Sequence, residues 1–108
     1  MADNFAKRLF QGFIYLHILH HAELEPVYGL WLIEELGHHG YKMSPGTLYP
    51  LLHRLESEGL LILQKKLVSG RVRKYYRCTQ QGRATLQEGR RFLSELVNEI
   101  GLEADFNV

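Results

Sequence analysis

Leu48, Leu51, Leu52 and Leu55 recur at helical spacing, and just past Gly59 the apolar period shortens to that of a strand. That switch constrains the fold more than any other feature of the chain. The leucines form one stripe that must face a core, which leaves Gly46, Pro50, His53 and Ser57 on the opposite side, flanked by Thr47, Tyr49 and Arg54. Ser44-Pro45 suits the start of this helix. A serine N-cap accepts bonds from free backbone N–H groups, and proline at the first helical position lacks only an N–H that would be unpaired anyway. Pro50 removes a backbone bond near the same end, so an irregular opening is expected. Beyond Gly59, Leu61, Leu63 and Leu67 alternate with Gln64 and Lys66, and Val72, Lys74, Tyr76 and Cys78 alternate with Arg73, Tyr75 and Arg77. Val68-Ser69-Gly70 between the two runs supplies a turn, which makes the pair a β-hairpin with a basic tip.

On the N-terminal side, Phe5, Leu9, Phe13, Ile14, Leu16 and Leu19 mark an amphipathic helix from about Asn4 to Ala22, stopped near Glu23-Leu24-Glu25-Pro26. A shorter helix fits Val27 to Leu36, with Leu32, Ile33 and Leu36 apolar and Gly37 and Gly40 behind it. After the hairpin, Thr79-Gln80-Gln81-Gly82 opens a helix that runs to about Ile100 and ends at Gly101. Leu86, Leu93 and Ile100 recur every seventh residue, beside Phe92, Leu96 and Val97, and no following element is expected to cover so wide a stripe. These side chains are either intramolecular core or the seam with a second copy of the chain. The expected class is mainly α with a small β-hairpin (α+β). In a single domain of 1–108, a winged helix-turn-helix region over 4–78 precedes a C-terminal dimerisation helix over 79–101.

The 13 Lys and Arg nearly cancel against 12 Asp and Glu in total, but not locally. Between Leu61 and Arg91 stand Lys65, Lys66, Arg71, Arg73, Lys74, Arg77, Arg83, Arg90 and Arg91 against Glu88, nine against one, a surplus of eight. Such a concentration is either a solvated face or a phosphate-binding surface. A composition 45% hydrophobic and 23% charged over 108 residues is that of one ordinary globular domain, whose small core is often completed by pairing. MADNFAKRLF does not read as a secretory start, and no run approaches the roughly 18 apolar residues of a membrane span, so a cytoplasmic protein is expected. Cys78, the one cysteine, excludes an internal disulfide and a multi-cysteine zinc site, and is read as a small buried hydrophobe. Without a phosphate-cradling loop, a nucleophile elbow or suggestively paired carboxylates, no enzymatic activity is expected.

A B-DNA major groove is about 12 Å wide and admits one α-helix. The helix from Ser44 is the candidate, because its leucines hold it to the core while Gly46, Thr47, Tyr49, His53 and Arg54 remain for DNA. Arg54 suits either a bidentate bond to guanine or a phosphate, and the hydroxyls of Ser44, Thr47 and Tyr49 near the helix N-terminus suit phosphates. Lys65, Lys66, Arg71, Arg73 and Lys74 of the hairpin would follow the adjacent backbone or minor groove. Adjacent strand residues face opposite ways, so one ring of Tyr75-Tyr76 packs inward and the other, Tyr75, faces DNA.

The stretch Ser44-Pro45-Gly46-Thr47-Leu48-Tyr49-Pro50-Leu51-Leu52-His53-Arg54-Leu55-Glu56-Ser57-Glu58-Gly59-Leu60-Leu61 resembles the signature of PadR-type transcriptional repressors. Tyr28-Gly29, Arg73-Lys74-Tyr75-Tyr76-Arg77 and Thr79-Gln80-Gln81-Gly82-Arg83 are similar to other recurrent segments of that family, and Pro50 is a usual feature of it. The resemblance implies a repressor acting as a homodimer on a pseudo-palindromic double-stranded operator. It also implies that the first and last helices pack against those of the partner, through Leu9, Phe13, Leu86, Phe92, Leu93, Leu96, Val97 and Ile100. Ligands of some members bind near that interface and loosen DNA binding. Where some drug-binding members carry a tryptophan in the last helix this chain has Phe92, its one tryptophan being Trp31.

His17, His20 and His21 form His-x-x-His-His near the end of the first helix, and positions three or four apart share a helix face. Neutral imidazoles there are candidate ligands for a divalent metal such as zinc, nickel or cadmium, with neighbouring carboxylates or His38-His39 completing the shell. The metal would act as an effector, no cofactor being required. The alternatives are surface or core histidines that bind nothing, and a metal-binding protein whose fold is incidental.

Overall fold

Asn4 opens the first helix, its Oδ1 accepting the N–H of Lys7 at 2.8 Å, and the computed structural model describes the chain from there to Gly101, residues 4–101. Helix α1 (Phe5–Leu24) buries Ile14, Ile18, Leu19 and Ala22. Its first turns are different: Phe5, Leu9 and Phe10 stay exposed, so the apolar pattern that predicted the helix includes residues, Phe5 and Leu9, that no described element covers.

Helix α2 (Gly29–His38) begins two residues later than the pattern predicts, and the reason is Val27. Pro26 favours an extended backbone before it, and β-branched Val27 continues that conformation into a pairing with the hairpin. The N–H of Val27 bonds Tyr76 O at 2.9 Å, and the N–H of Tyr76 bonds Val27 O at 2.7 Å. Val27 thus forms a single bridge to the edge of the hairpin instead of a first helical turn.

Helix α3 (Pro45–Ser57) runs unbroken through Pro50 and buries Leu48, Leu51, Leu52 and Leu55. The carbonyl that Pro50 deprives of a partner belongs to Gly46, which is exposed to water. Ser44 caps through its backbone alone. Its carbonyl accepts from Thr47 and Leu48, while its Oγ meets Thr47 Oγ1 at 3.5 Å rather than a backbone N–H. At the other end Gly59 takes φ +80, which lets Leu60 N bond Leu55 O at 2.9 Å and turns the chain into the sheet.

Strands β1 (Leu61–Val68) and β2 (Arg71–Cys78) pair antiparallel from Leu61 opposite Cys78 to Val68 opposite Arg71. Ser69 and Gly70, at φ 51 and 78, form the two-residue turn whose twist matches the strands. Leu61 and Tyr76 anchor the base of the hairpin in the core, but Leu67 and Val72 near its tip are 74% and 65% exposed because the hairpin outruns the helices beneath it.

Helix α4 (Gln80–Ile100) starts under Thr79, whose Oγ1 accepts from Gly82 N at 2.9 Å and donates to Gly59 O at 2.6 Å. Gly82 admits no side chain, since a Cβ would strike the carbonyl of Leu60 and lie 2.7 Å from Cys78 Sγ. Leu86, expected at a seam with a second copy, is 2% exposed and belongs to the core of its own chain. Beyond it α4 runs out over α1, where Gly89 lets Leu16 approach. The radius of gyration, 15.4 Å, exceeds the ~13 Å of a compact domain of about 100 residues, as the projecting hairpin and helix require. No described helix is long and apolar enough to cross a membrane.

Candidate nucleic-acid interface

The hairpin register sets cations against cations. Lys65 stands opposite Lys74 and Lys66 opposite Arg73, pairs that repel within the fold and that an external anion would relieve. All of Lys65, Lys66, Arg71, Arg73 and Lys74 are exposed. Alternation puts Arg71, Arg73, Tyr75 and Arg77 on one face of β2, away from buried Tyr76.

On that face an aromatic brace holds the charges. The guanidinium of Arg73 lies 4.3 Å from the ring centre of Tyr28, Tyr28 meets Tyr75 edge-on at 5.4 Å, and Lys66 Nζ lies 5.2 Å from the ring centre of Tyr75. A side-chain hydrogen bond with Tyr75 raises the pKa of Arg73 further. Sequence reasoning assigned Tyr28 no role. Its only signal was its place before Gly29, and the geometry explains that glycine: a Cβ there would run into the hydroxyl and ring of Tyr49.

Between hairpin and helices opens a groove of about 720 Å³. Tyr49 and His53 of α3 form one wall, Arg71, Arg73 and Lys74 of β2 the other, and Tyr28, Gly29 and exposed Leu30 continue it along α2. Five of the residues expected to bind DNA, Tyr49, His53, Arg71, Arg73 and Lys74, therefore share one concavity. Ser44, Gly46, Thr47 and Arg54 are exposed on α3 but do not line it, nor do Lys65, Lys66 and Tyr75. Tyr49 and Tyr75 are half-buried and act partly as packing. No described polar or charged side chain is fully buried, so the cationic surplus lies at the surface.

Cys78 is buried, and burial pushes its thiol pKa up, which fits a small apolar filler rather than a nucleophile. Elsewhere on the surface, Leu9, Phe13 and Leu16 of α1 and Phe92, Leu93 and Leu96 of α4 line a shallow apolar trough of about 320 Å³. Phe92, Leu96 and Ile100 are 50–55% exposed, and Val97 is half-buried. Of the histidines, His17 and His21 come together with His39, while His20 stays outside the trio.

Residues 18–88 match the Transcriptional regulator PadR-like family. The chain is 58% identical over 85 residues to the transcriptional regulator Rv3488 of Mycobacterium tuberculosis, covering 79% of each chain. The fold is similar to that of a PadR family transcriptional regulator from Eggerthella lenta, with a TM-score of 0.77 and 36% identity over 87% of this chain and 83% of that one. It is also similar to a PadR-like transcriptional regulator from Bacillus cereus, with a TM-score of 0.74 and 35% identity over 86% of this chain and 95% of the other.

Proposed function

The chain belongs to the PadR-like family of transcriptional regulators, and from that premise we propose that it is a homodimeric repressor that inserts α3 into the major groove of a pseudo-palindromic operator and lays its hairpin on the flanking backbone. The single observation that carries this reading is the groove in which Tyr49 and His53 of α3 face Arg71, Arg73 and Lys74 of β2. An exposed helix face beside a cationic ribbon matches what duplex DNA offers, base edges in a groove bordered by phosphates. Ser44, Gly46, Thr47 and Arg54 continue the contact along α3, and Lys65, Lys66 and Tyr75 continue it along the hairpin.

The apolar trough supports the pairing. Water-exposed Leu9, Phe92, Leu93, Leu96 and Ile100, with Phe13 and Val97 half-covered, form a patch of the kind that marks a protein interface. A twofold pair through this face sets two α3 helices about 34 Å apart or a multiple of that distance. A small ligand or a divalent metal that favours one spacing would relieve repression.

Fluorescence anisotropy with the DNA upstream of the protein's own gene tests the reading. Binding is expected with a dimer on each site, falling steeply with salt as phosphate counterions are reclaimed. Equal affinity for unrelated DNA at every salt concentration would sink the claim of a specific operator.

A further inference from the structure

Five of the chain's six histidines gather at one end of the α1–α2 pair: His17, His20 and His21 on α1, His38 and His39 at the end of α2. Among them His17, His21 and His39 each bring a ring nitrogen to within 4.8 Å of the others. One helical turn sets His17 beside His21, their rings stacked at 13° with centres 6.4 Å apart, and His39, the C-cap of α2, closes on His17 at 4.8 Å. Glu35, one turn before His39, accepts from or faces two of the rings, at 3.1 Å from His39 Nε2 and 3.6 Å from His21 Nε2. Tyr41 stands edge-on to His17 and Trp31 edge-on to His21, so the cluster has aromatic walls.

We propose that His17, His21 and His39 bind one divalent transition-metal ion of the imidazole-preferring kind, such as zinc or nickel, with Glu35 as the carboxylate that balances its charge. Imidazole nitrogens suit these ions, and zinc–nitrogen bonds of about 2.0–2.1 Å place tetrahedral ligand atoms about 3.3 Å apart. The rings have to draw in by roughly 1.5 Å at most from their present spacing, a movement within reach of the broad terminal torsion of histidine. Burial foremost, then the neighbouring histidines, lowers the pKa of His17, and burial also leads the lowering at His21. His20 packs against His21 at 4.9 Å but brings no nitrogen to the trio.

The location gives the ion a consequence. His17 and His21 sit on the helix that carries the apolar trough, and His39 sits at the head of the turn that leads into α3. A metal bridging them fixes how far α3 stands from the twofold face, and this consequence rests on the DNA-binding reading above.

Metal binding itself is tested without DNA. Chelator-stripped protein is titrated with zinc by calorimetry and with cobalt by its visible absorption, where ring-nitrogen ligation gives a distinct band. One ion per chain is expected. Replacing exposed His39 by alanine, or His21 by alanine, should abolish the cobalt band and weaken zinc at least tenfold, while Glu35→Gln should weaken it roughly 10–100-fold. His20→Ala and His53→Ala should bind as the parent does. Thermal melts of each variant without metal separate a lost ligand from a lost fold. Substoichiometric uptake by the parent, or an unchanged cobalt spectrum in a folded His39→Ala variant, overturns the site. Operator affinity is then measured with and without zinc: a difference that vanishes in His39→Ala supports the coupling, and no difference removes it. Failure to bind any operator would count against the DNA reading and leave the metal result standing.

Discussion

The hairpin end and the α1–α4 face are both surfaces that the chain leaves unfinished, for opposite physical reasons. At the hairpin, Lys65 against Lys74 and Lys66 against Arg73 accumulate charge that no acid of the same sheet answers. Along α1 and α4, Leu9, Phe92, Leu93, Leu96 and Ile100 hold apolar area in water that no described helix covers. One surface calls for an anion and is weakened by salt; the other calls for an apolar partner and is not. Under the proposed reading, what holds two copies together is separate from what holds them to DNA, and the two can be broken one at a time.

The largest effect is expected from breaking the apolar face. Changing Phe92 and Leu96 together to glutamate should give a monomer by light scattering and lower operator affinity roughly 10²–10⁴-fold, because the second half-site loses its tether. A dimer that persists in that variant would remove the α1–α4 face from the proposal. Next comes the charged end: Arg73→Ala with Lys74→Ala should cost about tenfold per lost phosphate contact at 0.1 M salt and flatten the slope of log K against log salt by about 0.9 for each. Its dimer mass should stay that of the parent. Tyr28→Ala, which removes the ring under Arg73, should weaken binding by about two- to fivefold, in line with a cation–π contact of ~0.5–1 kcal/mol at an exposed site. Smallest is Lys65→Gln. Relieving the pair with Lys74 should raise stability in denaturant by a few tenths of a kcal/mol while slightly lowering affinity for DNA, opposite signs that mark a charge kept for a ligand.

How much of this was legible in the sequence varies by element. The leucine stripe of α3, the alternation of the hairpin and the Thr79 and Gly101 ends of α4 are local patterns, and the structure follows them closely. Val27 was misplaced because a residue in a single bridge to a strand nearly fifty positions away leaves no periodic trace, only Pro26 before it. Ser44 reads as a side-chain cap by residue type, yet its hydroxyl turns to Thr47 instead. Leu86 shares the seven-residue spacing of Leu93 and Ile100 but sits early enough on α4 to lie over the core, and spacing along one helix cannot say where its neighbours stop. The histidine trio was half visible: the spacing of His17 and His21 is local, while His39 joins them only because α2 packs back along α1.

By itself the sequence determined the elements, their order, the apolar stripe of each helix and the placement of the cationic surplus, since periodicity and turn chemistry act over a few residues. Tertiary structure alone decided which of those residues meet: Tyr28 under Arg73, Tyr49 across Gly29, His39 against His17, and the split of α4 into a covered start and an uncovered end. Those contacts join residues distant along the chain, and packing, which acts through space, is what sets them.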